Sequence, residues 1–554
     1  MTENTQLARR TQSILSMLPT GFHGLNGNKK HDAIINLPDP RGFVQSLAAE
    51  DLYLLIQDIG PADCTDLMEL ATNKQRQSFI DLDCWVGDEL DIESFDRWLD
   101  LITEGSLESL IETLGSLDPE LMVAYLMQSV VTVLDRSQED EIQAYEDQTI
   151  VIPSPDLDFR LVFRNDEDET APRINHIVKQ LYRYDLDYAR NILNSCRTGL
   201  KIENTELARR FRMGRLADMG FPEPSDAYAL YAAIPIETVK KALETQPEPS
   251  ILDNKLNSIE WALSRTHMMG SFLNDCLARI THVDRVARDF AFCVNRAIVA
   301  SPEGLMLRDL SRLEHLGRSV HSTISLGLEY LSDGDVDRGT QILDQAWLLQ
   351  LFQVGHRLTV KRSVRARELM NRGGGLLPDN ILALITSLQV TPQPCFVDQH
   401  GQRVTFGSRA DLNECDRLLT KGETLCNLFE EHFGFSIERF KKHIFAGLTV
   451  IDKRFVRFST LACTMLAHSL IEDGHSFEPI DVSRMSKMLA RIDQLPNAVN
   501  NLVSTFSEDV RELLEHAAQT LTEELGSLNP SEQLKPGMMM GILLLKDSQD
   551  SEQA

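Results

Sequence analysis

Phe43 and Leu47 fall on one helical face, and Leu52, Leu55, Ile56 and Ile59 on another, before Gly60-Pro61 ends the run. The same alternation of short apolar-periodic stretches and polar breaks recurs down the chain. Leu67, Leu70 and Ala71 precede the break Thr72-Asn73, which leads into Phe79, Ile80 and Leu82. Leu107, Leu110, Ile111 and Leu114 precede Asp118-Pro119-Glu120, where Asp118 is placed to cap the next helix and Pro119 suits its first turn. The most apolar long segment, Leu121 to Leu134, reads as one buried helix, because a membrane span needs roughly 20 apolar residues. A hairpin of two- or three-turn helices cannot bury its apolar face alone. The pattern therefore predicts an all-α fold of helical hairpins stacked in several solenoid-like blocks.

Two short stretches change period. Thr149-Ile150-Val151-Ile152 and Phe159-Arg160-Leu161-Val162-Phe163 flank Pro153-Ser154-Pro155-Asp156, and Cys395-Phe396-Val397 and Arg403-Val404-Thr405-Phe406 flank Asp398-Gln399-His400-Gly401. Each reads as a small β-hairpin insertion at a junction between helical blocks. The expected organisation is an N-terminal arm over 1–36, an acidic superhelical domain over 37–147 and a β-hairpin junction over 148–170. A central helical domain over 171–375 follows, then a linker with the second hairpin over 376–410, and a C-terminal helical domain with a polar tail over 411–554. Within the central domain, Gly220-Phe221-Pro222-Glu223-Pro224-Ser225 separates two helices, with Ser225 a cap for the second. Ile324, Leu328 and Leu331 end at Ser332-Asp333-Gly334-Asp335 before a partner helix with Ile342, Leu343, Ala346 and Trp347, a tetratricopeptide-like hairpin. Gly373-Gly374-Gly375 stops the helix before it.

Composition adds a bias. The chain has 83 acidic and 55 basic residues, a formal charge of −28, and such a field repels nucleic-acid phosphate and anionic lipid. Nine cysteines without paired spacing point to free thiols in a reducing cytoplasm. No segment reads as a secretory signal or a membrane span.

Leu47-Ala48-Ala49-Glu50-Asp51-Leu52 and Leu117-Asp118-Pro119-Glu120-Leu121, with the helix pairs around them, carry a resemblance. On them, the stretch from Leu37 to about Val133 resembles the intracellular amino-terminal superhelical domain of MgtE-type magnesium transporters. The resemblance implies an acidic superhelix and, through it, divalent-cation sensing. The regulatory and transmembrane parts of that family have no counterpart in the sequence. The whole chain, with its Gly220-Phe221 turn and Gly327-Leu328-Glu329-Tyr330-Leu331, also resembles an uncharacterised bacterial family of similar length.

Charge is concentrated. Between Asp81 and Asp147 there are 19 acidic residues against Arg97 and Arg136. Asp88, Glu89, Asp91 and Glu93 are the candidates to hold Mg²⁺, whose ligands are hard oxygens, although the spacing departs from an EF-hand loop. The plainer reading of the same four is a solvated face that docks a basic protein partner. Arg357, Lys361 and Arg365 recur every four residues along one helix face, a stripe suited to internal or intersubunit pairing or to an anionic ligand. Cys415, Cys426, His432 and His443 repeat at eleven residues, too spread along a helix to close a tetrahedral zinc site. No nucleophile elbow, P-loop, zinc-protease or dinucleotide motif is present, so no catalytic residue and no cofactor is assigned. The sequence reads best as a non-enzymatic bacterial interaction scaffold or regulatory factor. Mg²⁺ sensing and an enzyme with an unrecognised site are the alternatives, and homo-oligomerisation is compatible with all three.

Overall fold

Among the described residues, short amphipathic helices with polar caps dominate, with three small antiparallel sheets beside them. In a computed structural model the described residues are 22, 25–138, 149–164, 170–245, 271–280, 283–397, 400–443, 455–472, 475–503, 508–525 and 541–545. The chain divides into two units, Met1–Ile324 with Leu331–Gln353, and Ser325–Tyr330 with Val354–Ala554.

In the first unit, the early helices pack mainly on the next helix but one along the chain. The helix Ala49–Ile59 packs on Asn73–Asp83, and Thr65–Leu70 packs on Ile92–Gly105. Leu107–Ser116 contacts both Asn73–Asp83 and Ile92–Gly105, and Pro119–Ser129 lies against Lys201–Asp218. Gly60, at φ 117, lets the chain turn out of the Ala49–Ile59 helix, and Pro61 opens the next turn. Thr72 and Gln75 form a reciprocal capping box at Asn73–Asp83. Tyr53, Phe79 and Trp98 meet at ring-centroid distances of 5.3 to 6.2 Å, and all three are buried. Such aromatic triads hold successive helix layers together.

Residues 27–35 of the expected arm form a helix whose Ile34 is fully buried and whose Lys30 pairs with Asp58. Gly27 lies so close to the end of Ala49–Ile59 that a Cβ would sit 2.6 Å from the Ile59 carbonyl oxygen. Backbone cannot yield as a flexible side chain does. Gly27→Ala is therefore expected to lower stability by about 1–3 kcal/mol, measured by denaturant midpoint, whereas Gly214→Ala meets no neighbour within 4 Å.

Three local expectations need correction. The segment Leu121–Leu134 is not one helix: Pro119–Ser129 ends at Val130, and Thr132–Asp135 becomes a strand pairing antiparallel with Phe159–Arg164. The β-branched run Val130-Val131-Thr132-Val133 favours extended backbone, and the hairpin Thr149–Pro153/Phe159–Arg164 supplies the edge it joins. Asp118 sits at the N-cap but makes no cap bond, because its carboxylate turns to Arg215. Ser225 does not cap its helix either, since Pro224 already occupies the first turn with Glu223 ahead of it. The helix Leu310–Ser332 ends as expected at Asp333 and Gly334, both at positive φ, and Asp335 caps Val336–Gln345.

The second unit gathers around Phe458–Glu472, which packs on Leu495–Val503 and Glu508–Leu525. Phe429 stacks on Phe458 at 4.4 Å. The hairpin Cys395–Val397/Arg403–Thr405 forms as expected. Ile542, Leu543 and Leu544, near the end of the chain, are buried, and Leu544 bridges Ile480. Among the described residues no helix is long and apolar enough to cross a membrane.

Candidate functional site

Asn73–Asp83 is buried along its last nine residues, from Gln75 to Asp83, polar side chains included. Its two final carboxylates set the electrostatics of the first unit. Asp81 is fully buried and takes a bidentate pair from Arg215, with Nε at 2.6 Å and Nη2 at 2.8 Å. Gln77 Nε2 donates to it at 3.3 Å, and its backbone carbonyl accepts from Arg212 Nε at 2.8 Å. Arg212, buried itself, lies over the Trp85 ring at 5.1 Å. Burial raises the Asp81 carboxyl, against the pull of Arg215, and lowers Arg212 to about 10.

Asp83 meets four donors: Trp98 Nε1 at 2.6 Å, Tyr53 Oη at 2.8 Å, Arg97 Nη2 at 3.1 Å and Arg308 Nε. Arg308 also reaches the Asp83 carbonyl and Ser94 Oγ. Farther along, Asp96 accepts from Tyr125 Oη at 2.5 Å, and Arg173 bridges Asp96 and Asp100. A buried charge persists only with such partners. Asp81, Asp83, Asp96 and Asp100 are thus paired within the unit by arginines, most of them from distant parts of the chain.

Asp88, Glu89, Asp91 and Glu93 lie at the edge of this network. Asp88 and Glu89 are exposed on a two-residue hairpin, Trp85–Val86 against Glu89–Leu90, turned by Gly87 at φ 61. Asp88 approaches Arg209 at 3.5 Å. Asp91 caps the helix Ile92–Gly105 and faces Arg308. Burial pushes its carboxyl up, but the Ser94 hydrogen bonds outweigh that and leave it below the usual range. Glu93 is exposed on the first turn. Among the described residues no group of three or more His, Cys, Asp or Glu side chains is arranged to hold a metal ion. The structure gathers these four into no such group.

The basic stripe lies on Leu348–Gly373. Arg365 pairs with Glu423 through Nε at 2.6 Å and Nη2 at 2.7 Å, and with Asp416 at 3.3 Å. Arg362 also meets Asp416, and Arg372 meets Glu430 at 2.8 Å. The carboxylates they find belong largely to Arg409–Asn427, a helix that spacing alone did not match to the stripe. Arg357 is half-buried and Lys361 exposed. Cys415 and Cys426 are buried thiols raised by burial to about 12 and about 11, which disfavours the thiolate a metal needs. His432 is exposed, and the side chain of His443 lies outside the described residues. All nine cysteines are free.

Sequence reasoning missed one feature. A cavity of about 290 Å³ opens beside Arg215, between the start of Ala49–Ile59, the face of Asn73–Asp83 and the end of Lys201–Asp218. Glu50, Gln75, Gln77, Ser78 and Met219 line it and are buried, while Gln45, Lys74 and Asp218 are exposed. Gln75 Nε2 is held by the Val44 and Leu47 carbonyls at 2.9 and 3.0 Å, and Gln77 Oε1 by the Asp118 N–H at 3.1 Å. Glu50 differs: it is 1% exposed and its Oε1 has no hydrogen-bond partner. Burial raises its carboxyl from 4.5 to about 7, against the lowering effect of its own backbone N–H. Its position within an acidic first turn, Glu50-Asp51, reads from sequence as a solvated helix start, so no signal in the pattern marks it.

Fold and site together define a predominantly helical protein with an arginine-clamped acidic core. The chain belongs to a family of unknown function, DUF6178, whose profile matches residues 8–545. That match runs through Leu37–Val133, and the comparisons give no support to a likeness of this stretch to magnesium-transporter domains. No curated protein and no solved structure matches the chain.

Proposed function

We propose that the protein is a non-enzymatic, cytoplasmic interaction scaffold whose first unit docks a protein partner. One observation carries this reading. Leu207 and Phe211, four residues apart, share one side of Lys201–Asp218 and are 42% and 47% exposed, and Leu200 at its N-cap is 63% exposed. Large apolar side chains aligned on a surface and rimmed by charge mark interaction sites. The Arg209–Asp88 pair ties the acidic hairpin tip to the opposite side of this helix, so the exposed carboxylates there add attraction for a basic partner without contacting the apolar row. An amphipathic helix with an apolar stripe and net positive charge suits such a surface.

The double substitution Leu207→Glu and Phe211→Glu is expected to abolish capture of the native partner from cell extract while circular dichroism and melting stay unchanged. Reversal of Asp88, Glu89 and Glu93 to Lys is expected to weaken capture and remove its salt dependence. Capture that survives both sets at wild-type level removes the reading.

A further inference from the structure

We infer that the outward ridge of Lys201–Asp218 is a homodimer interface, on which the same helix of a second copy packs antiparallel about a two-fold axis beside Leu207. The inference rests on the docking reading above and names its partner. Ala208, Arg212 and Leu216 are the buried residues of this helix. On the side away from them, at helical spacing, run Glu203, Leu207, Arg210, Phe211 and Gly214, all exposed. The ridge divides lengthwise. Leu207 and Phe211 form an apolar edge, while Glu203 and Arg210, two turns apart, form a charged one. The ion pairs of this helix use Glu206, Arg209 and Arg215 and leave Glu203 and Arg210 unmatched among the described residues.

The order of charge along the ridge selects the occupant. Glu203 precedes Leu207 by four residues, and Arg210 follows it by three. A two-fold axis beside Leu207 therefore sets each Glu203 level with Arg210 of the other copy, and the contact holds the pair twice. The same operation lays Leu207 against its own counterpart with Phe211 beside it. Apolar edges then meet on one side of the contact and charges on the other. A parallel pairing would instead oppose Glu203 with Glu203 and Arg210 with Arg210. The helix also has the chemistry its surroundings attract. Lys201 and four arginines outnumber Glu203, Glu206 and Asp218, so it is an apolar-striped helix of net positive charge. It is thus both surface and ligand.

Sedimentation equilibrium of the full chain tests this at about 0.15 M salt, where the mutual repulsion of two chains of charge −28 is largely screened. The expected result is a reversible monomer–dimer equilibrium. Glu203→Arg and Arg210→Glu each place two like-charge pairs in the contact, and each should weaken the dissociation constant about tenfold or more. The antiparallel geometry makes a sharper demand. An equimolar mixture of the two variants should associate as tightly as wild type, because every opposed pair is then arginine against glutamate. Both positions are exposed, and unchanged melting temperatures check that the fold is kept. The inference is overturned by a chain that stays monomeric up to roughly 100 µM, by an equilibrium that neither reversal weakens, or by a mixture that associates no better than its parts. A monomeric chain whose Leu207→Glu, Phe211→Glu variant still loses a different captured protein removes this inference and leaves the docking reading standing. Capture and self-association both unchanged in that variant remove the two together.

Discussion

Asp83→Ala is expected to be the most damaging single change in the first unit, costing about 3–5 kcal/mol. The substitution strips one carboxylate from four donors at once, and two of them, Tyr53 and Trp98, are buried aromatic side chains at 2.8 and 2.6 Å. Water cannot readily replace the lost acceptor, so each orphaned donor adds a desolvation penalty. Arg308, drawn from 225 residues away, loses its anchor as well. Urea denaturation of wild type and variant measures the effect. Asp100→Ala, whose carboxylate is exposed and meets Arg173 alone, should cost under about 1 kcal/mol. Similar losses for the two would show that Asp83 is not the hub described.

Glu50→Gln should act in the opposite direction, and with a definite pH dependence. The folded-state carboxyl titrates near 7 against an ordinary 4.5, so its contribution to stability is fully present below the unfolded value. As pH rises through this window the unfolded chain releases the proton and the folded chain keeps it. Stability is lost across the window and levels off once the folded group ionises. Glutamine carries no such proton. Relative to wild type, Glu50→Gln should gain on the order of 3 kcal/mol at about pH 8 and almost nothing at about pH 4. Taking the difference between the two chains at each pH cancels the titration of other carboxylates. A gap that does not change with pH contradicts the assignment.

Backbone punctuation was legible in the sequence because it is local. Gly60-Pro61, Asp335 and the glycines after Arg372 announce where helices stop and start, since capping and positive φ are properties of a few adjacent residues. Side-chain pairing was not legible. Asp81 and Asp83 read as surface acids in a charge block, yet their partners Arg215 and Arg308 lie 134 and 225 residues onward. Asp118 shows the competition directly. Local rules assign it to its own helix end, but Arg215 is the stronger partner and takes it. The strand Thr132–Asp135 failed for a related reason, because a sheet edge formed by residues 159–164 decided its conformation. Spacing placed Arg357, Lys361 and Arg365 on one face correctly but could not name Asp416 and Glu423.

Two carboxylates of the acidic stretch, Asp81 and Asp83, are buried and clamped by arginines from later in the chain. A double-mutant cycle on Asp81→Asn and Arg215→Gln, read by denaturant unfolding, tests this most directly. The bidentate contact and the burial of Asp81 predict a coupling energy of about 2 kcal/mol or more. Additive losses, with a coupling near zero, would place those carboxylates in solvent and contradict the account.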